Sequence, residues 1–234
     1  MPVMKHSFGF LLRGFLLIVA GLVIICESGV LSRFEWRWLD WQMRFLAGRE
    51  HAYAEDPVVV VGIDDASLAQ FAVPLATLHR QIGGFLEAMA LAHPRAVGVD
   101  VVLPQASYDR IQPGLDAALA RGILALRPAA PLVLGMTAAA DGRLRPLHPL
   151  FTNLATPAGL GLVFVSKDDD GVIRRHDERL VDTQAKMRSL VGQLAQRIEI
   201  PMQNGLIPFF RGPRFGYFPL KDVNAGMKGS HVAV

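Results

Sequence analysis

Residues 56–71 read DPVVVVGIDDASLAQF. An apolar run ends in Gly62-Ile63 and is followed at once by two carboxylates, Asp64 and Asp65, with Ser67 just beyond. A third carboxylate, Asp100, interrupts VGVDVVL (97–103). A charge inside an apolar strand is costly unless something pairs with it. If the two runs are neighbouring parallel strands, Asp64 and Asp100 sit toward the carboxyl edge of one sheet, the edge at which open α/β sheets bind ligands. One reading is a site for a cation, amine or small polar ligand built from Asp64 and Asp100, with Ser67 nearby. The other is structural: Asp65 caps the short helix ASLAQF, and Asp64 and Asp100 are neutralised by arginines, with Arg80, Arg174 and Arg175 the candidates. A phosphatase-like nucleophile wants a second aspartate two residues after the first, and position 66 is alanine.

Other chemistry is thin. The chain has no G-x-x-x-x-G-K-[ST], H-E-x-x-H or G-x-S-x-G pattern, and its seven histidines show no i, i+4 pair. KDDDG (167–171) places its aspartates consecutively, where a calcium loop needs them at alternate positions, and so reads as a turn. Neither a cofactor nor a metal centre is expected, and no catalytic residue is assigned. The single cysteine, Cys26, excludes a disulfide within the chain. A net charge of +3 with interspersed signs excludes a nucleic-acid-binding stripe.

These residues need elements to carry them. In a chain of 234 residues, apolar residues make up 51%, and much of that excess lies in FGFLLRGFLLIVAGLVIIC (8–26), broken only by Arg13. As a helix this run reaches about 28 Å, close to the hydrocarbon thickness of a bilayer. No small-residue cleavage site follows, so it reads as an uncleaved transmembrane anchor, with a cleaved signal peptide as the competing reading. The segment 31–46 places Leu31, Phe34, Trp38, Trp41 and Phe45 on one helical face and contains all three tryptophans. That face either lies at a membrane interface or packs as ordinary core. Beyond the linker 48–57 come a strand at 58–63, a helix at 77–92 and a strand at 96–103, a parallel βαβ unit. A short helix after Pro113 and a strand at 132–138 follow. The runs 161–166 and 171–182 form a hairpin about Asp170-Gly171. A helix at 184–198 is capped by Asp182 or Thr183, and 206–213 is a last strand.

Four stretches, VVVVGIDDASL (58–68), HPRAVGVDVVLP (93–104), GLVFVSKDDDGVIRR (161–175) and FRGP (210–213), occur in the order found in the type-two CHASE domain, which the chain resembles over residues 34–234. The resemblance implies an extracytoplasmic sensor of a bacterial membrane receptor, relaying to a cytoplasmic cyclase or kinase. It also implies that the chain, ending in KGSHVAV (228–234), lacks a final strand, exit spans and an output domain. VPLATLHR (73–80) keeps the family's proline and arginine, Pro74 and Arg80, but no tryptophan. The arginines Arg33, Arg37, Arg44 and Arg49 after the span favour a cytoplasmic domain by the positive-inside rule. The resemblance places it on the other side.

The expected fold is therefore α/β: an N-terminal transmembrane helix, then a mixed, partly parallel sheet with flanking helices. Residues 1–32 form the anchor region and 33–234 the sensor domain. The chain sits in the cytoplasmic membrane with one pass and faces the periplasm or exterior. Its expected partners are the lipid bilayer, a small polar ligand and a second copy of itself, with no nucleic acid. The candidate ligand-binding residues are Asp64, Ser67, Arg80 and Asp100. The alternatives are a membrane-tethered metal-dependent hydrolase using Asp64 and Asp100, and a structural membrane partner.

Overall fold

The computed structural model describes residues 13–21, 23, 30–46, 58–139, 141–176, 187–202, 204–207 and 215–226. Two compact units divide the chain. One holds residues 1–52 and 208–213, and the other 53–207 and 214–234.

In the first unit, residues 13–21 are helical, and Phe15, Leu16, Leu17 and Ile18 are all exposed. The remainder of the expected span 8–26, apart from Val23, lies outside the described residues. A 17-residue helix, α1 (Val30–Leu46), follows. Among the described residues no helix is long and apolar enough to cross a membrane.

The second unit is a mixed α/β body with parallel sheets and flanking helices. Its centre is a three-stranded parallel sheet in the order β2-β3-β4, made of β2 (Val97–Val99), β3 (Leu132–Met136) and β4 (Leu160–Leu162). Val97 lies beside Leu132, and Leu134 beside Leu160. Every residue of β3 is buried, as a continuous apolar run in a central parallel strand should be. Between β2 and β3 runs α4 (Leu115–Leu126), whose Leu115, Leu119, Ile123 and Leu126 fall at steps of three and four and are buried. It packs on α3 (His79–Ala92), which presents Ile82 and Leu86 to the same core. The crossing is close: a Cβ on Gly83 would stand 2.5 Å from the Ala118 carbonyl oxygen, and one on Gly122 would meet the Gly83 backbone. Phe151 of α5 (Pro149–Ala155) completes the core with no exposed surface. On the sheet, α6 (Leu190–Arg197) contacts all three strands, and Gly98 leaves the space that Leu194 fills.

The expected pairing of the runs 58–63 and 96–103 does not form. Instead β1 (Val59–Gly62) pairs in parallel with β7 (Gly216–Pro219), Val59 beside Gly216, as a separate two-stranded sheet. The parallel βαβ unit is β2–α4–β3. Nor is β1 a buried strand, since Val59 and Val60 are exposed. Among the described residues the two arms of the expected hairpin do not pair: β4 is taken by β3 and by a bridge to Ser189, while β5 (Arg175–His176) pairs antiparallel with β6 (Gly205–Leu206); residues 177–182 of the second arm lie outside the described residues. The turn between the arms does form, with the Gly171 amide donating to the Asp168 carbonyl. The α6 helix is capped by Ser189, whose hydroxyl accepts the Gly192 amide at 3.0 Å. The caps expected at Asp182 and Thr183 lie outside the described residues, as do 208–213 and the tail 228–234. Two short helices, α2 (Asp65–Phe71) and α7 (Leu220–Gly226), finish the body.

Candidate functional site

Asp64 stands two residues past β1, in extended backbone with φ −93° and ψ 173°. Its carbonyl accepts the Leu68 amide at 2.9 Å and its Oδ1 accepts the Ser67 amide at 2.8 Å. That is the geometry of an N-cap on α2, three residues before the amide it satisfies. The cap is therefore Asp64, and Asp65, expected in that role, occupies the first turn instead. Hydrogen bonds from the Ser67 hydroxyl and then its amide hold the Asp64 carboxyl below the usual carboxylate range, with a smaller contribution from the Lys221 charge. Ser67 has no exposed surface, and its hydroxyl accepts the Lys221 amide at 3.2 Å. Asp64 and Ser67 thus tie the start of α2 to the start of α7.

Asp100 lies one residue beyond Val99, the last ladder position of β2, and is exposed. The cost of a charge inside an apolar strand is avoided because the strand ends before it. With β1 paired to β7 and β2 to β3, Asp64 and Asp100 are not tips of adjoining strands. The arginines assigned to neutralise them are engaged elsewhere. Arg174, 3% exposed, donates to Asp168 at 3.1 Å and to both oxygens of Asp170 at 2.8 and 2.7 Å. Those bonds from Arg174 draw the Asp170 carboxyl down to about 2. Arg175 pairs with Asp168 at 3.7 Å.

Arg80, the fourth candidate, is in the first turn of α3, exposed, and its Nη2 donates to the Pro113 carbonyl at 3.1 Å. It lines a groove of about 350 Å³ between α3 and α4. The walls are two helical stripes, Arg80, Gly84 and Glu87 from one side and Gly114, Ala118 and Arg121 from the other. Gly84 and Ala118 are its small residues, while Arg80, Arg121 and Glu87 supply two guanidinium forks and a carboxylate. Paired guanidiniums suit planar carboxylate, phosphate or sulfate groups, and the carboxylate accepts from hydroxyl or ammonium groups. Arg121 and Glu87 carry no sequence motif; Glu87 stands two turns along the same helix as Arg80, and the packing of α4 on α3 brings Arg121 opposite them.

Beside the Arg80 end of this groove in sequence is a buried polar cluster. His79, 2% exposed, has both ring nitrogens without a hydrogen-bond partner. Its Nε2 is 3.9 Å from Asp116 Oδ1, and its ring tilts against Tyr108 and Phe151. Asp116 accepts the Tyr108 amide at 3.3 Å, and Asp109 accepts the Asp116 amide at 2.9 Å. Burial pushes the imidazole below its ordinary value, against the opposing pull of Asp116 and Asp109. Among the described residues no group of three or more His, Cys, Asp or Glu side chains is placed to hold a metal ion.

No curated protein matches the chain. No solved structure matches it. The family model for the CHASE2 domain matches residues 15–232, nearly the whole chain. CHASE2 domains are extracytoplasmic and sensory, not catalytic. By that match, over far more than half its length, the chain belongs to the CHASE2 domain family.

Proposed function

We propose that this chain is the sensory part of a bacterial receptor. One N-terminal span (8–26) holds it in the cytoplasmic membrane, and the α/β body faces the periplasm or exterior. The body binds a small polar ligand, and the change is relayed to a cytoplasmic cyclase or kinase. The receptor acts as a homodimer. The CHASE2 match over residues 15–232 is the observation that supports this reading. Of the four candidate ligand-binding residues, Arg80 is the one we place at the ligand, with Arg121 and Glu87 across the same groove. Asp64 and Ser67 tie α2 to α7, and Asp100 is exposed just past the end of β2. A ligand bridging α3 and α4 would change how the two helices pack, and a sensor needs such a difference in affinity between two states.

The compartment is tested by fusing alkaline phosphatase, and separately green fluorescent protein, after residue 234. Phosphatase activity without fluorescence is expected, and the opposite pair of results would refute the orientation. The groove is tested by thermal shift of the full chain in detergent with succinate, glutamate and inorganic sulfate as probes. A shift that Arg80→Ala abolishes supports the site, while a shift unchanged in Arg80→Ala and Arg121→Ala places recognition elsewhere.

A further inference from the structure

The α1 helix cannot be a span. It has 17 residues, about 25 Å of helix, and carries Arg33, Glu35, Arg37, Asp40 and Arg44 within that length. Yet one face is strongly apolar and uncovered: Phe34, Trp38, Trp41 and Phe45 are 65%, 59%, 56% and 63% exposed. Three of these rings stack in sequence, Trp38 on Trp41 at 5.0 Å and Trp41 on Phe45 at 5.9 Å. The opposite side, Trp36, Leu39 and Met43, is half-buried, so the helix already has one partnered face and one without a partner.

We propose that the Phe34–Trp38–Trp41–Phe45 face of α1 lies in the headgroup layer of an anionic phospholipid bilayer, with the helix axis along the membrane surface. Three observations choose lipid over a protein partner. Large amphipathic rings are the side chains that prefer the headgroup level, where an apolar body and a polar tip are both satisfied. The exposed Arg37 and Arg44 stand two helical turns apart along one flank of the ring stripe, placed to reach lipid phosphates, while Glu35 and Gln42 occupy the other flank. The helical residues 15–20, earlier in the same unit, are also apolar and exposed, so α1 is not the unit's lone apolar surface open to lipid. This inference rests on the membrane-anchored reading only for the nearness of a bilayer; the helix face is a separate claim.

All three tryptophans of the chain lie in α1, so its intrinsic fluorescence reports on this helix alone. The full chain is reconstituted into phosphatidylcholine vesicles with and without phosphatidylglycerol, using lipids brominated near the headgroup or deep in the acyl chain. The expected result is a blue-shifted emission, with greater loss of intensity from shallow than from deep bromines. Arg37→Glu with Arg44→Glu should reduce that loss in vesicles containing phosphatidylglycerol. Stronger deep quenching would overturn the proposal by making α1 part of a span. Emission untouched by either bromolipid would overturn it in favour of a second protein copy on the rings. Carbonate extraction tests the span separately. Release of the chain by carbonate, with shallow quenching seen beforehand, refutes the single-pass anchor and upholds the interfacial helix. Retention without quenching does the reverse.

Discussion

Adjacent glycines in α3 should respond to alanine in opposite directions. At Gly83 a Cβ would lie 2.5 Å from the Ala118 carbonyl oxygen, 3.0 Å from its carbon and 3.3 Å from Leu119 Cα, all backbone atoms of α4. No rotamer change relieves such a contact; the helices must separate by about 0.8 Å, and overpacking of this kind costs about 1–3 kcal/mol. The better helix propensity of alanine returns only about 1 kcal/mol. The opening also loosens Ile82, Leu86, Leu119 and Ile123, which are closely packed in the core. Gly83→Ala should therefore destabilise by roughly 1–2 kcal/mol. At Gly84 the nearest atom to the new methyl is Asn224 Oδ1 at 3.5 Å, an ordinary contact. Gly84→Ala should then gain up to about 1 kcal/mol from propensity alone. The two variants should differ by about 2–12 °C in Tm for a body of this size. Thermal unfolding of the full chain in detergent, followed by circular dichroism at the helix band, measures the difference. Equal midpoints, or Gly83→Ala above Gly84→Ala, would show that the α3–α4 crossing is not this close.

Gly83→Ala with Gly122→Ala should cost less than the sum of the singles, because one separation of the helices relieves both clashes; strict additivity would contradict a shared crossing. Because burial lowers the His79 pKa, the unfolded chain takes up a proton the native imidazole refuses. Stability is then full above the ordinary histidine value of about 6.5 and falls as pH drops below it. His79→Phe, which keeps the ring contacts with Tyr108 and Phe151, should flatten urea midpoints between pH 7 and 5; an unchanged slope would assign the titration to another group. Asp64→Ala should lower Tm more than Asp65→Ala, since only Asp64 caps α2, and the reverse order would return the cap to Asp65. The Asp170 carboxyl, at about 2, should move up into the normal range in Arg174→Met, read by NMR titration of the side-chain carbon. Its stabilising contribution is present above the unfolded carboxylate value and is lost as pH falls toward 2.

Elements with strong periodicity are legible in the residues themselves. Leu78, Ile82, Phe85, Leu86 and Met89 mark α3, and the unbroken apolar LVLGM marks β3 as a strand covered on both faces. Pairing is not legible. VVVVG and VGV are equally suitable parallel neighbours by composition, and the true partner of β1 is GYFP, a four-residue strand with no apolar alternation and a proline at its end. Asp170-Gly171 does encode a reversal, but a turn pair fixes only a few residues, and the flanking arms find other partners. The distinction between Asp64 and Asp65 depends on which residue leaves the extended conformation last, and two adjacent aspartates look alike on that point. Asp100 misleads because the apolar run continues to Leu103, while the ladder stops at Val99. Of the groove, only Arg80 stands out in the sequence. Its other groups are ordinary until Gly83 and Gly122 bring two helices together, and small residues at 84 and 118 are invisible as features until something opposite them is known.

The pairing of β1 with β7 has a kinetic corollary. These partners are about 160 residues apart along the chain, against about 35 for β2 and β3, so closing that loop costs roughly 1 kcal/mol more in chain entropy. The central sheet can assemble while β1 still waits, and β1 can detach without breaking any ladder of that sheet. Amide hydrogens of Val59–Gly62 should therefore exchange well before those of Leu132–Met136. A late-joining, early-leaving strand at the N-terminal edge of the body is where a pull from that side would first be felt.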